Sequence, residues 1–518
     1  MAASAAATAP GVARSPNRVV ITFSVMAATI MQVLDSTIAN VALPHMQASL
    51  GAAQDTIVWV LTSYIVASAI AIPITGWLAD RFGVKRLLLI SIGGFVVTSM
   101  MCGAAQNLDQ MVAFRVLQGV FGAFLVPLAQ SVMLGIYPRE KHGQAMALWG
   151  MGVMIGPIMG PMLGGWLTEN FDWRWVFYIN LPIGILAALG IWLCMDETPR
   201  GERRFDLFGF ALLAMAVGAL QLLLDRGESE DWFAALEIWI YAGLMVSGLW
   251  MLIVHTATSS RETVLPGALL RDRNVVTALV FSAGLGLVLF AGMALMPPML
   301  QHLFGYPTIT TGLVLAPRGV GTMLAMMVVG RIVGKVDPRL LIFLGFGLTS
   351  LSLYQMTGFS LEMDMTPVIV SGVIQGLGIG FIFVPLNTIA FATIAPNLRT
   401  DAASLLTLIR SLGSSIGISL VTVMLSHNLQ TSHADLAAHL TPFNVPLADP
   451  ALAARMASVG DTALVALDAE VNRQALMIAY LDDFQLMLIL TLAIMPLVVL
   501  LRKPSHAPDP DAPPAHMD

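Results

Sequence analysis

The sequence predicts an all-α polytopic membrane protein with fourteen transmembrane helices, arranged as two six-helix bundles related by pseudo-symmetry plus two inserted helices. Composition is the first observation behind this. Of 518 residues, 57% are hydrophobic and 11% charged, with a mean hydropathy of +0.79, whereas a soluble domain carries about 25% charged residues. Segmentation is the second. The apolar residues fall in fourteen runs, each near the roughly 20 residues needed to cross a hydrocarbon core about 30 Å thick, and only helices suit runs of that length where no water reaches the backbone. The third is an internal repeat. Cys102 and Cys194 both lie inside apolar runs, so no disulfide framework exists.

In chain order, residues 1–17 read as a disordered cytoplasmic tail, because no short apolar core with a small-residue cleavage site follows Met1. Helices are expected near 19–46, 54–79, 84–104, 108–136, 142–168, 174–196, 206–225, 234–256, 273–302, 308–335, 339–358, 366–393, 400–427 and 479–501. The domains are then an N-terminal bundle at 18–196, two inserted helices within 197–260, and a C-terminal bundle at 261–503. Residues 428–478 read as a long loop on the outer face, with 451–477 able to form an amphipathic helix. The Pro-rich stretch 504–518 reads as a second disordered tail.

The 26 Lys and Arg residues set the orientation. Arg115, Arg318 and Arg410 lie within helices, and Arg174, Arg226, Arg455 and Arg473 fall on one side. The other nineteen share the side of the N-terminus. Positive-inside sorting therefore places both termini in the cytoplasm.

The repeat is clearest where residues 116–128 (VLQGVFGAFLVPL) match 373–386 (VIQGLGIGFIFVPL) at an offset of 257 to 258. Gly152 and Gly156 correspond to Gly413 and Gly417, and the stretch Gly76 to Arg86 corresponds more loosely to Gly330 to Arg339. Parallel six-helix repeats with a site between the halves are a transporter arrangement. Charged and proline-bearing versions concentrate in the first copy. Gly372 stands where Arg115 does, Ile418 where Pro157 does, and Gly334 where Asp80 does. Coupling chemistry is therefore expected in the N-terminal half, with the C-terminal half shaping the substrate site.

Four elements carry a family resemblance. They are Gly76-Trp77-Leu78-Ala79-Asp80-Arg81-Phe82-Gly83-Val84-Lys85-Arg86 between helices two and three, and Arg115-x2-Gln118-Gly119 in the fourth. The fifth helix contributes Gly152-x3-Gly156-Pro157-x2-Gly160-x3-Gly164-Gly165, and the first Leu34-Asp35-Ser36-Thr37-Ile38-Ala39-Asn40. Together they resemble the fourteen-helix drug:proton antiporters of the major facilitator superfamily. Leu224-Asp225-Arg226-Gly227 and the long outer loop are similar to Emr-type multidrug pumps of Gram-negative inner membranes. The resemblance implies a major facilitator fold and export of small-molecule drugs from the cytoplasm or inner leaflet against protons. It also implies a periplasmic adaptor and an outer-membrane channel as partners, with the outer loop as a docking or exit-gating element.

Asp35 is the expected proton carrier, since ionisable groups at membrane depth are costly and functional by default; the alternative is a permanent structural ion pair. Arg115 is its expected partner, holding the carboxylate ionised without losing its own proton, or else a cap for helix-end carbonyls. Gln118 either extends that polar network or packs. Gly152, Gly156, Gly160 and Gly164 make a face without side chains that admits a close helix neighbour, and Pro157 permits a bend. Gly76, Asp80, Arg81, Gly83 and Arg86 are the expected cytoplasmic gate, with Asp80 as a charge-assisted latch. Met31, Asn40, Gln221, Gln375, Asn387 and Arg410 are the candidate cavity residues. Arg318 and Arg410 are potential charges near the pathway in the C-terminal half, and Arg410, just before Gly413, serves either an anionic or polar substrate or a fixed ion pair. Asp225 and Arg226 read as an interfacial pair, and the methionine clusters read as core or as an adaptable pocket.

No phosphate-binding loop and no zinc spacing occur, so neither an enzyme nor a cofactor is expected beyond the proton as coupling ion, and nucleic-acid binding has no support. A dedicated exporter of one metabolite or siderophore-like product, an importer, and a sensor or scaffold without transport remain the competing readings.

Overall fold

The computed structural model describes residues 17–53, 56–198, 200–201, 203–259, 263–439 and 461–501. All regular structure among them is helical. Fourteen helices are long and apolar enough to span a membrane: α1 Arg18–Leu50, α2 Trp59–Phe82, α3 Val84–Gly103, α4 Leu108–Ile136, α5 Arg139–Asn170, α6 Trp175–Cys194 and α7 Leu207–Arg226. There follow α8 Leu236–Thr258, α9 Arg273–His302, α10 Thr308–Ile332, α11 Pro338–Met356, α12 Thr366–Ala392, α13 Pro396–His439 and α14 Val465–Leu500.

Local chemistry explains many boundaries. Asn107, Asp206, Asp272 and Asp337 cap α4, α7, α9 and α11 by accepting backbone N–H bonds, which satisfies donors left over at a helix start. Burial alone would raise the Asp206 carboxyl. Bonds from Gly209 N–H, His255 and Val264 N–H outweigh that and hold it below the usual carboxylate range. Gly83 ends α2 at φ +86°, a conformation that a side chain resists.

Two corrections concern the end of the chain. The helix expected at 400–427 runs on to His439, and the last one is already formed at Val465. Residues 428–439 of the stretch read as an outer loop are thus helix, and 465–477 is helical as the sequence allowed, but continuous with the last span, with His433 Nε2 and Asp468 Oδ1 3.0 Å apart between the two extensions. Residues 440–460, 1–16 and 502–518 lie outside the described residues, and with them most of the two expected tails.

Each half packs in the same way. In the first, α1 lies on α5 and α6, and α4 on α2 and α3; in the second, α9 lies on α13, and α12 on α10 and α11. The repeat offset holds in space. Gly152 faces Met26, while Gly413 faces Ala283, 257 residues beyond Met26. Gln130 and Asn387, also 257 apart, hydrogen-bond to each other at 3.3 Å across the contact between halves. Inserted α7 packs on both α2 and α13, and α8 packs chiefly on α7.

The halves meet along α5 and α10, from Gly143 against Val333 to Gly319 against Ile158. At the end of the molecule carrying the α2–α3 turn, further contacts close the other seam. Ser131 and Thr400 hydroxyls lie 2.7 Å apart, and Arg399 Nη1 donates to Leu134 O at 2.9 Å. This basic end is closed in the present conformation.

Candidate functional site

The site forms where α1, α3, α4 and α6 converge inside the first bundle. Asp35, on α1, is 2% exposed and Arg115, on α4, 1%. Arg115 Nη1 donates to Asp35 Oδ2 at 2.8 Å. Gln118, one turn further along α4, donates from Nε2 to Asp35 Oδ1 at 2.9 Å and accepts from Arg115 Nη1 at 2.8 Å. The i, i+3 spacing of Arg115 and Gln118 puts both side chains on one helix face. The sequence left open whether Asp35 and Arg115 touch. They form a buried, multiply bonded ion pair.

Three further side chains and one carbonyl complete it. Asn180 Nδ2, on α6, donates to Asp35 Oδ1 at 2.8 Å and to Ser99 Oγ on α3 at 2.9 Å. The guanidinium of Arg115 lies 4.2 Å from the Tyr64 ring centroid, and its Nε donates to Val60 O at 2.9 Å. Sequence reasoning missed Asn180, Ser99 and Tyr64 because none is charged. An amide inside an apolar run, as in Ile179-Asn180-Leu181, is the signal that would have found the first.

The carboxylate therefore accepts three side-chain donors, one charged. Taking ions out of water costs several kcal/mol, recovered only by good geometry and additional hydrogen bonds. Both are present here. Proton uptake would remove the charge that Arg115 faces, and losing one partner of a buried pair costs about 3–5 kcal/mol. That is enough to shift packing between helices.

Packing links the pair to α5. A Cβ at Gly156 would fall 2.7 Å from Val33 Cγ1 and 3.0 Å from Leu34 N, beside Asp35, while one at Gly152 would press on Met26 at 2.8 Å. One at Gly160 would collide with Thr37, and one at Gly164 would lie 3.4 Å from Ile38 O. The four expected glycines thus form one close contact with α1, and Pro157 lies within it. Gly160→Leu is expected to destabilise the protein by about 1–3 kcal/mol through overpacking. A melting temperature in detergent equal to wild type would refute this contact.

At the basic end, Arg203 of the α6–α7 linker donates from Nη1 to both Asp401 carboxylate oxygens at 3.1 Å, and lies 3.8 Å from Asp80 Oδ2. Asp80 belongs to the first half and Asp401 to the second, so one guanidinium ties the two together. Gly76 leaves room for the Asp401 carboxylate, which a Cβ would strike. Trp77 Nε1 donates to Arg203 O at 3.0 Å. Arg86 pairs with Glu197 at 3.0 Å, and Arg81 is exposed. Of the five residues expected here, Gly76 and Asp80 adjoin the bridge, while Gly83 and Arg86 face the linker through Glu197. Arg203 and Asp401 were missed, being ordinary charged residues until the fold joins them.

The candidate cavity residues do not gather in one place. Met31 is fully buried against Gly184 in the first bundle, whereas Asn40 is exposed on α1. Gln221 bonds Ser415 at 2.8 Å between α7 and α13, and Asn387 bonds Gln130. Arg410 lies 5.7 Å from the Phe383 ring centroid, and that ring stacks on Trp149 of the first half. Gln375 is buried with its Nε2 unbonded.

A polytopic helical membrane protein of two related bundles, with an ion-pair network in one and a charged bridge between them, is the architecture of a secondary transporter. The comparisons with known proteins agree. The family model described as Major Facilitator Superfamily matches residues 25–418, and the chain belongs to that superfamily of membrane transporters. It is 38% identical over 429 residues to Multidrug export protein EmrB of Haemophilus influenzae, covering 82% of this chain and 84% of that one. It is 35% identical over 491 residues to Fatty acid resistance protein FarB of Neisseria gonorrhoeae, covering 94% and 96%. Among solved structures, the human organic anion transporter MFSD10 (TETRAN) shares the fold with a TM-score of 0.60 at 13% identity, over 92% of this chain and 99% of that one.

Proposed function

We propose that the chain is a proton-coupled exporter of hydrophobic and amphipathic toxic compounds, moving them from the cytoplasm or inner leaflet in exchange for protons. The Asp35 network carries this reading. A carboxylate buried among Arg115, Gln118 and Asn180 holds a site for one proton, and occupying it breaks an ion pair next to the α1–α5 contact. The names of the relatives, multidrug export and fatty acid resistance, support export and amphipathic cargo. Positive-inside sorting makes the basic end cytoplasmic and both termini internal. The conformation described is then closed to the cytoplasm, the stage at which cargo leaves and a proton enters. For coupling, cargo and proton must each prefer a different state.

The helical extensions of α13 and α14, on the side opposite the basic end, support docking of a periplasmic adaptor that leads to an outer-membrane channel. Inner-membrane location follows from the same reading.

Acid-loaded proteoliposomes containing the purified chain test the proposal. Adding a lipophilic cation such as tetraphenylphosphonium is expected to trigger proton release in proportion to the protein present. Binding without release would remove proton coupling and favour a sensor or uncoupled transport.

A further inference from the structure

The second half contains the donor side of the Asp35 site without its carboxylate. At the repeat offset of 257, Gln118 corresponds to Gln375, Arg115 to Gly372, and Asp35 to Gly292. A guanidinium is nevertheless present. Arg318 enters from α10 beside Gly372, whose Cβ would lie 3.6 Å from Arg318 Cβ. Its head group converges with Gln375 on the position that Asp35 occupies in the first half. A Cβ at Gly292 would lie 3.7 Å from Arg318 Nη1, 3.8 Å from Nη2 and 3.8 Å from Gln375 Nε2. Those are ordinary van der Waals distances, so a single carbon at Gly292 would already touch all three nitrogens, which converge on this one glycine.

The donors there are largely unused. Arg318 is 8% exposed and Gln375 1%. Arg318 makes one side-chain bond, from Nη2 to Leu289 O at 3.2 Å, while its Nε and Gln375 Nε2 are buried without partners. Among the described residues no carboxylate pairs with Arg318. Of the buried acids in this half, Asp401 is held by Arg203, and neither oxygen of Asp483 has a bonding partner. Among the described residues Arg318 thus forms no fixed ion pair. A buried guanidinium that converges with an amide, each with an N–H left unpaired, is a site for an anion. It lies one helix from the seam, since Gly319, next to Arg318, packs on Ile158 of α5.

We propose that Arg318 and Gln375 receive the carboxylate of an amphipathic cargo molecule at Gly292, in the place that Asp35 fills in the first half. The proposal rests on the export reading for its route of entry. Equilibrium binding without a proton gradient tests it independently of coupling.

The probes are dodecanoate and dodecyltrimethylammonium, which share a chain and differ in head-group charge, with the full-length protein in nanodiscs. Gly292→Asp supplies from the protein the carboxylate that the site lacks, and is expected to weaken dodecanoate binding about tenfold or more relative to the cation. Gln375→Leu keeps the arginine, and is expected to shift the same affinity ratio in the same direction by a smaller factor. An unchanged ratio in both variants, or equal loss of both probes, overturns the proposal. Chloride separates cargo from an inorganic anion. Dodecanoate binding insensitive to exchange of chloride for gluconate supports the assignment, while displacement by millimolar chloride overturns it. Should transport prove uncoupled from protons, these binding ratios would still decide the site.

Discussion

Asp35→Asn is expected to abolish cargo-triggered proton release from acid-loaded proteoliposomes while leaving cargo binding within a few-fold of wild type. The substitution is nearly isosteric but changes the chemistry of the whole network. Asp35 accepts from Arg115, Gln118 and Asn180. An asparagine offers one acceptor oxygen and turns a second N–H₂ group toward those donors. Arg115 then keeps Val60 O, Gln118 Oε1 and the Tyr64 ring but loses the countercharge of Asp35, at a cost of about 3–5 kcal/mol for a buried pair broken on one side. The variant also has no titratable group at this position, so α1 no longer alternates between paired and unpaired forms. Arg115→Lys provides a second comparison. Lysine keeps the charge but lacks the planar fork that reaches Asp35, Gln118 and Val60 together, and a fall in transport of about tenfold or more is expected. Wild-type proton release from Asp35→Asn would move the proton site elsewhere and leave the pair a structural role.

How far the sequence reaches depends on whether a signal is local. Fourteen spans were legible because apolar runs near twenty residues long have few alternatives in a bilayer, and charged loops mark their ends. The outer end of α13 was not, because Asp435 lies in a stretch with the polarity of a loop that nonetheless continues the helix, and at α14 an amphipathic helix over 451–477 was legible but not its continuity with the last span. Asp35, Arg115 and Gln118 were legible as polar residues at membrane depth, but their contact was not, since 80 residues separate Asp35 from Arg115. Asn180 escaped because amides are cheaper to bury than charges and attract less notice. The Arg203–Asp401 bridge joins residues 198 apart, each at an unremarkable position. Gly292 carries no signal of its own. It gains meaning only when the offset found in α4 and α12 is carried back to α1 and α9.

That bridge gives the second large effect. Arg203→Gln is expected to open the basic end and raise the population of the state open there. Arg203 is the link from the linker to Asp401 in the second half and Asp80 in the first, and Asp401 is buried at the start of α13. Glutamine retains a hydrogen-bond donor but no charge, so a buried carboxylate loses a charged donor whose Nη1 reaches both its oxygens. Hydrogen bonds to charged groups contribute about 1.5–3 kcal/mol. Half-exposed Asp80 adds little, because screening reduces such pairs to about 0–1 kcal/mol. A loss of about 2 kcal/mol from the closed state shifts the balance between closed and open forms roughly thirtyfold. Ser131 and Thr400 report it directly, their hydroxyls lying 2.7 Å apart across the seam. In a background with Cys102 and Cys194 replaced, Ser131→Cys with Thr400→Cys is expected to crosslink readily in the closed form, and several-fold more slowly when Arg203→Gln is added. Asp401→Asn should slow crosslinking in the same direction, and combining it with Arg203→Gln should add little, since both remove one interaction. Crosslinking at the wild-type rate in both single variants would show that the α5–α10 seam alone holds the basic end shut.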